Sequence, residues 1–472
     1  MTMPMSSPPS PSRSSVIVPL IVGCAQFMHQ FDGTMITTAL PVMAVSLNED
    51  PLKLNLAITC YLLALAVFVP ISGWMADRYG ARHVFLAAIA VFTVSSVLCG
   101  LSGTLAEIVL WRTVQGIGGA MMTPVGRVIV VKSVPRIEIV RAMNYVTIPA
   151  VLAPLIGPSV GGFIVTYFTW PWIFFLNLPI GIAGLFLVYK YVPDLREETV
   201  APLDLRGFVL VGLALAGLVF GFATLGRGAL PTPVIVASIS IGAICGAFYL
   251  AHARRKSDPV VDLALLKNRT FAASIFGGGL FYVGTTAQVF LMALLLQVGF
   301  GFSAFHAGLM LLAGAIGSTV MRFTLRPMLN FLGFRWLLIW NGLLTGAGLA
   351  ACGLFTAQTP VAVMLAVLFV AGFSRSTQFN SVQALGYAEI PSAVMSRATS
   401  FSSMMQQLMQ SFGVGLTALV VHISTVMHGH GDVITAQDVS LGFFTIGALS
   451  ALSVIVFYLL PATAGSELTG RP

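Results

Sequence analysis

Residues 73–83 of the chain read Gly-Trp-Met-Ala-Asp-Arg-Tyr-Gly-Ala-Arg-His, a short charged stretch in an otherwise apolar region. Apolar sequence flanks it on both sides, from Leu54 to Pro70 and from Val84 to Leu101. Each flank has roughly the 20 residues that a helix needs to cross a bilayer. The stretch is therefore predicted to be a tight turn between two membrane spans. Its two arginines, together with His83 when that side chain is protonated, place the turn on the cytoplasmic side.

The composition also indicates a membrane protein. Of 472 residues, 57% are hydrophobic and 8% are charged, whereas about 25% are charged in a typical soluble domain. A soluble fold could not bury so much apolar surface. The formal net charge of +8 is explained by loop residues rather than by a nucleic-acid partner. The five cysteines stand singly inside apolar runs, so we expect neither disulfides nor a metal site.

Fourteen apolar stretches are long enough to be membrane helices. An even number of spans places both termini on the same side of the membrane. Lysines and arginines crowd the loops on that side, and the opposite loops keep only Lys53 and Arg227. The positive-inside rule then puts both termini in the cytoplasm. The predicted spans are 16–38, 54–76, 83–102, 105–130, 139–166, 171–190, 206–226, 233–252, 271–297, 306–325, 336–357, 361–386, 397–427 and 439–460.

The residue types in the charged turn point to a particular family. Glycines there let the backbone turn and approach a neighbouring helix closely, and an aspartate can pair with arginines or lie over a helix N-terminus. The spacing resembles the G-x-x-x-D-R-x-G-x-R loop between the second and third helices of the major facilitator superfamily of secondary transporters. An ordinary positive-inside loop is the simpler alternative, which we do not favour. The resemblance implies an all-α membrane fold and a gating role at the cytoplasmic side for Gly73, Asp77, Arg78, Gly80 and Arg82.

An internal repeat supports a fold of two related bundles. Residues 330–335 read Asn-Phe-Leu-Gly-Phe-Arg and align with residues 77–82, with the glycine and the arginine in register. Asn330 stands where the first copy has an acid, so we expect the second copy to contribute less to gating. In transporters built from two such halves, the site lies between them at mid-membrane. The predicted organisation is a disordered tail (1–15), an N-terminal six-helix bundle (16–192), a cytoplasmic linker (193–205), two inserted helices (206–253), a second linker (254–270), a C-terminal six-helix bundle (271–460) and a tail (461–472).

Asp32 is the one acidic residue that falls well within a predicted span. Ionisable groups are costly inside a membrane and normally mark function. Because burial penalises the charged form of a carboxylate, such a group can be neutral in one conformation and charged in another. The stretch from Asp32 to Pro41 resembles the D-x-T-x-x-x-x-A-L-P signature of the first helix in the fourteen-helix drug:proton antiporters of EmrB/QacA type, which implies proton coupling. The alternative is an aspartate that stays ionised in a structural pair.

Arg112 is the expected partner of Asp32. It lies seven residues from the outer end of its span, and Asp32 lies six residues from the outer end of its own. At 1.5 Å per residue, both are about 10 Å deep. A pair of this kind would break when the aspartate takes a proton. The segment also resembles the R-x-x-Q-G-x-G-x-A signature of the fourth helix, whose further members here are Gln115, Gly116 and Gly118.

His29 lies three residues before Asp32, on the same helical face. It could relay protons, since histidine titrates near neutrality. A packed, hydrogen-bonded histidine is the alternative that we favour. We keep His29 among the candidate proton-coupling residues.

The fifth predicted span carries prolines and glycines that bend a membrane helix and permit tight packing. A generic kinked helix would look similar. The run nevertheless resembles the G-P-x-x-G-G motif of exchangers in the superfamily, and residues 170–181, 404–408 and 411–415 resemble the same drug-antiporter branch, in particular its MdtD-like group. The motif residues are Pro154, Gly157, Pro158, Gly161 and Gly162.

Arg375 is a second intramembrane cation, and no predicted span holds an acid to pair with it. Such an arginine lines a watery cavity or binds an anion, or else backbone carbonyls and amides such as Gln378 and Gln383 satisfy it. Both alternatives stay open. Together with Gln288 and Gln406, Arg375 marks the predicted substrate cavity.

We therefore expect a proton-coupled antiporter that exports small lipophilic drugs or toxic compounds across a bacterial inner membrane by alternating access. An exporter of organic anions or metabolites, such as citrate-like cargo, is an alternative because a cavity with Arg112 and Arg375 leans positive. A membrane sensor that transports nothing is an alternative of another class.

The sequence contains no phosphate-binding loop G-x-x-x-x-G-K-[ST], so nucleotide hydrolysis is not expected and the protein is predicted not to be an enzyme. We expect no cofactor, with the proton gradient as the energy source. The predicted partners are small-molecule cargo, protons and membrane lipid, without nucleic acid. A monomer is expected, and a periplasmic adaptor is a further candidate partner.

Overall fold

The computed structural model describes residues 13–49, 51–194, 196, 200, 202–225, 231–302, 304–428, 435–461 and 463–465. All regular secondary structure in these ranges is helical. Most of the two predicted tails, and Arg227 in its predicted outer loop, lie outside the described residues.

The helices follow the predicted order of spans, with the first beginning three residues earlier than expected. Short 3-10 turns at Val69–Ile71, Arg136–Glu138, Leu263–Lys267 and Ser392–Val394 and a π turn at Leu295–Gly299 connect or extend them. The α-helices are α1 (Arg13–Leu47), α2 (Pro51–Phe68), α3 (Ser72–Tyr79), α4 (Ala81–Leu101), α5 (Leu105–Ser133), α6 (Ile139–Tyr167), α7 (Trp172–Phe175), α8 (Asn177–Tyr191), α9 (Leu205–Thr224), α10 (Thr232–Ala253), α11 (Arg269–Leu294), α12 (Ala304–Gly353), α13 (Val361–Ala388), α14 (Met395–Met427) and α15 (Ala436–Tyr458).

Eleven helical stretches within the described ranges are long and apolar enough to cross a membrane. One of them, His306–Gly353, covers two predicted spans, because α12 changes direction at Gly333. Helices α1 and α6 correspond to the first and fifth predicted spans. The protein is therefore a multi-pass helical membrane protein, and its arrangement is consistent with fourteen crossings.

The charged stretch at residues 73–83 is more helical than predicted. Helix α3 continues to Tyr79 and α4 begins at Ala81, so Gly80 alone makes the turn. Its φ of 87° lies in the left-handed region that favours glycine. Gly333, the repeat partner of Gly80, also has a positive φ, of 74°. The two halves thus turn at equivalent glycines.

Helices α1 to α8 pack with one another, and α11 to α15 form a second group. The inserted helices α9 and α10 pack together, and α9 contacts both α2 in the first group and α14 in the second. Glycine makes this last contact close, because a Cβ at Gly415 would meet the carbonyl oxygen of Phe222. The inserted pair therefore lies beside the seam between the halves.

The two halves touch at what we call the Gly73 end, the end of the bundle where Gly73 lies against the start of α14. A Cβ at Gly73 would meet the carbonyl oxygen of Ser396. Beside it, the hydroxyl groups of Ser72 and Ser400 lie 2.8 Å apart and share a hydrogen bond. The structure is therefore closed at this end.

Replacing Gly80 with alanine should lower the unfolding temperature in detergent. An L side chain at this φ costs about 1–3 kcal/mol, and a Cβ would also crowd the Asp194 carboxylate, 3.0 Å away. Gly103→Ala is the matched control, because Gly103 has open space around its Cβ position and no positive φ. Equal unfolding temperatures for the two variants would contradict the role assigned to Gly80.

Candidate functional site

The Asp32 carboxylate lies on α1 inside the first half, and its side chain is fully buried. Its Oδ2 accepts a hydrogen bond from Arg112 Nη1 at 2.5 Å. Its Oδ1 accepts one from Asn177 Nδ2 at 2.8 Å and one from Gln115 Nε2 at 3.1 Å. The groups that face it are all N–H donors, which fits an ionised carboxylate.

Arg112, on α5, is equally buried. Its Nη1 also donates to Gln115 Oε1 at 2.7 Å, and its guanidinium carbon lies 4.2 Å from the centre of the Tyr61 ring. Its Nε and Nη2 have no acceptor among the described residues. The aromatic face takes the place of an acceptor for this cation. Within the described part of the chain, Asp32 is therefore the charged partner of this arginine.

The structure thus brings together Asp32 and Arg112, the two residues that the sequence places at equal depth in the membrane. It also explains the fourth-helix glycines, because a Cβ at Gly116 would meet the Tyr61 carbonyl oxygen and a Cβ at Gly118 would lie 3.0 Å from the Ala88 carbonyl oxygen. Close packing of α5 against α2 and α4 places the Tyr61 ring over Arg112.

Asn177 was not singled out from the sequence. It begins α8, is fully buried, and its amide also donates to Ser96 Oγ at 2.9 Å. Its position in the stretch 170–181 that resembles the drug-antiporter branch was the available signal. Its direct contact with Asp32 required knowing how α8 is rotated.

His29 connects the buried pair to the space between the halves. Its Nδ1 lies 2.6 Å from the Tyr61 hydroxyl, and its ring meets Phe92 edge-on. This is the contact expected of a packed, hydrogen-bonded histidine. Because His29 also lines the cavity described next, a row of contacts runs from the cavity through His29 and Tyr61 to Arg112.

A cavity of about 480 Å³ lies between the halves. Its described lining contains two arginines, six glutamines and no aspartate or glutamate. Gln406 lines it, whereas Gln288, which the sequence also placed in the cavity, is buried and is not among the lining residues. Amphipathic periodicity could not separate these two positions, because both helices are apolar around most of their circumference.

Arg375 lines the cavity from α13, and no hydrogen bond or ion pair of its side chain is found within the described ranges. The two amides considered as its partners do not accept from it. Gln378 Oε1 accepts from Asn341 Nδ2 at 2.9 Å. Gln383 Oε1 has no hydrogen-bond partner among the described residues, so it does not bind Arg375 either. The geometry therefore favours the cavity-lining alternative.

Arg127 is a cavity residue that sequence reasoning missed. It lies on α5, near the cytoplasmic end of a predicted span, and is 5% exposed. Its Nη1 donates to Ser403 Oγ at 3.1 Å and its Nη2 to Gln406 Oε1 at 2.8 Å, both on α14 in the other half. A second arginine in the apolar span that already holds Arg112 was the available signal, but its partners depend on how the halves meet.

The glycine-rich part of α6 packs on the Asp32 segment of α1. A Cβ at Gly157 would meet the side chain of Thr34, two residues from Asp32. Gly161 is buried, and Gly162 has open space around its Cβ position. The side chains of Pro154 and Pro158 lie outside the described residues.

The predicted gating residues are spread around the Gly73 end. The Asp77 carboxylate, 11% exposed, faces Lys132 Nζ at 3.9 Å, so a lysine partners it there. Arg82 Nη2 donates to the Tyr189 carbonyl oxygen at 2.7 Å, and Arg78 is exposed. These contacts lie within the first half, whereas Gly73 touches the second.

A family model described as Major Facilitator Superfamily matches residues 22–414. Two proteins named "Putative multidrug resistance protein MdtD" are 37% identical to the chain. The one from Escherichia coli O81 (strain ED1a) aligns over 448 residues, 94% of each chain. The one from Escherichia coli O6:H1 (strain CFT073) aligns over 447 residues, 93% of this chain and 94% of that protein. The family resemblance inferred from the sequence is confirmed.

Solved structures share the fold at lower identity. The human organic anion transporter MFSD10 (TETRAN) superposes with a TM-score of 0.65 at 16% identity, covering 95% of this chain and 100% of that chain. The proton:xylose symporter XylE bound to 6-bromo-6-deoxy-D-glucose gives 0.65 at 16% identity, covering 96% and 98%.

Asn177→Leu keeps the side-chain size and removes the amide that faces Asp32. Loss of a hydrogen bond to a buried charge should destabilise the fold by about 1–3 kcal/mol and lower the unfolding temperature in detergent. Ser96→Ala is the control, because it removes the other partner of Asn177 and leaves every Asp32 contact in place. If Asn177→Leu unfolded at the native temperature, Asn177 would not support the pair.

Proposed function

The chain belongs to the major facilitator superfamily, and we propose that within it the protein is a proton-coupled exporter of small lipophilic drugs or toxic compounds. Membership makes it a membrane transporter of small molecules and not an enzyme. We further propose that the protein lies in a bacterial inner membrane with both termini in the cytoplasm, and that the proton gradient drives export.

The buried pair of Asp32 and Arg112 carries the proposal for proton coupling. A carboxylate held by three N–H donors loses much of that hold when it takes a proton, since the protonated form can accept fewer hydrogen bonds and has no charge to offer Arg112. The arginine would then be left buried without a charged partner, which is costly. Protonation therefore favours a different arrangement of the helices around the pair.

The proposed cycle begins from the conformation described above, which is closed at the Gly73 end. With that end in the cytoplasm, the cavity faces outward. Asp32 accepts a proton and loses its attraction for Arg112, and the halves then rock about the stretch from Gly157 to Gly162. Facing inward, the protein binds cargo and releases the proton to the cytoplasm. The cargo-bound protein then returns to the outward-facing state and releases the cargo there, so that proton entry drives cargo exit over the whole cycle.

The cargo assignment rests on the relatives. Proteins 37% identical over almost the whole chain bear the name of a multidrug resistance protein. The cavity is roomy for a small organic molecule, and Met143, Val146 and Phe379 give it apolar lining beside its amides.

Asp32→Asn should abolish uphill export driven by a pH gradient in vesicles while leaving downhill exchange of cargo, because the amide is a neutral near-copy of the protonated state. The measurement is gradient-driven dye accumulation in inside-out vesicles. Asp204→Asn is the matched control: Asp204 is also buried, but it pairs with His252 at the inserted helices. Full uphill export by Asp32→Asn would refute the coupling role.

Organic-anion export is a second candidate function, and one observation favours it. The described cavity lining carries Arg127 and Arg375 and no carboxylate. A guanidinium with no other partner attracts carboxylates and similar anions.

Detergent-purified protein in weak buffer should separate the two candidates. Proton release on adding lipophilic cationic dyes, and none with citrate, supports drug export. Proton release with citrate alone would replace drug cargo by organic anions. In that case Arg375→Gln should weaken citrate binding at least tenfold, because a charge-assisted hydrogen bond is lost.

A further inference from the structure

Arg127 has an unusual position for a buried cation. It lies on α5 of the first half, yet its two hydrogen-bond acceptors among the described residues, Ser403 and Gln406, lie on α14 of the second half. Neither acceptor is charged. A buried guanidinium needs its donors paired, so this side chain is satisfied only while the halves are together at this level.

The acceptor side of the contact is built into the second half. Gln406 Oε1 also accepts from Gln383 Nε2 at 3.3 Å, and that amide in turn donates to the Tyr282 hydroxyl. Gln406 is therefore held in place by α13 and α11 whether or not Arg127 is present.

Two further hydrogen bonds join described residues of the two halves, and both are between neutral groups. Ser72 pairs with Ser400, and the Thr147 hydroxyl donates to Asn380 Oδ1 at 3.0 Å. Hydrogen bonds with a charged partner are roughly twice as strong as neutral ones. The hydrogen bonds of Arg127 to α14 are made by an ionised group.

We propose that Arg127 is a positioning residue that holds the two halves together at the cytoplasmic end of the cavity. It does so mainly through its hydrogen bond to Gln406 and secondly through its hydrogen bond to Ser403. We call this pair of hydrogen bonds the latch. The latch holds the outward-facing state, and its strength sets how often the Gly73 end opens. Its consequence for export rests on the proposed function, whereas the latch itself is measured without cargo or a proton gradient.

The test reads opening through a cysteine at position 72. Ser72 is fully buried against Ser400, so Ser72→Cys should react with N-ethylmaleimide only when the halves part. The five native cysteines (Cys24, Cys60, Cys99, Cys245 and Cys352) are replaced by alanine in every variant. The alkylation rate in detergent is then proportional to the fraction of time that this end is open.

Two changes at Gln406 should move the rate in opposite directions. Gln406→Leu removes the main acceptor of Arg127 and should raise the alkylation rate about tenfold, the usual effect of losing a hydrogen bond to a charged group. Gln406→Glu places a carboxylate against the guanidinium and should lower the rate by at least as much. A residue that merely fills space would not give opposite signs.

Gln407→Leu is the matched control. Gln407 lines the same cavity on the same helix, and it makes no hydrogen bond in the described part of the chain. Its alkylation rate and its unfolding temperature should both equal those of the reporter background. Equal rates for Gln406→Leu and Gln407→Leu, or a faster rate for Gln406→Glu, would overturn the latch. If the alkylation rates are as expected but the protein shows no proton-driven dye transport, the proposed function is wrong and the latch is still supported.

Discussion

The ion pair between Asp32 and Arg112 is the interaction on which the rest of the structure depends. Each partner alone would be an unpaired charge in a membrane interior, and their mutual attraction only partly offsets the loss of water. Gln115, Asn177 and the Tyr61 ring supply the remaining contacts, and they come from α5, α8 and α2. Four helices, counting α1, thus meet at this ion pair. A single proton there changes the interactions of all four, which gives the proposed coupling its physical basis.

Helix α5 connects this pair to the contact between the halves. Arg112 and Arg127 lie on the same helix, about 22 Å apart at 1.5 Å per residue. Pro124 lies between them inside the helix and removes one backbone donor, a usual cause of bending. A shift of α5 that follows protonation of Asp32 would therefore reach Arg127 and its acceptors on α14. Gly73 and Gly157 permit close packing of the helices at these two places.

The layout of the membrane helices and the contact of Asp32 with Arg112 follow from local pattern, because hydrophobic length sets depth and equal depth allows contact. The single-residue turn at Gly80 was less predictable. The charged residues before it belong to α3, which packs on α14 in the second half of the molecule. Asn177, Arg127 and the exclusion of Gln288 from the cavity depend on helix rotation and on how the halves meet. Helices that are apolar all round carry little information about either, so the second half of the site had to be read from the structure.

Infrared difference spectroscopy of the native protein against Asp32→Asn tests the central claim most directly. The carboxyl signal of Asp32 is followed as the solution is brought from mildly alkaline to mildly acidic, with the Gly73 end able to open and close. The predicted result is a carboxylate band that gives way to the C=O band of a protonated acid within that range. A carboxylate band that persists throughout, in closed and open protein alike, would contradict proton coupling through this pair.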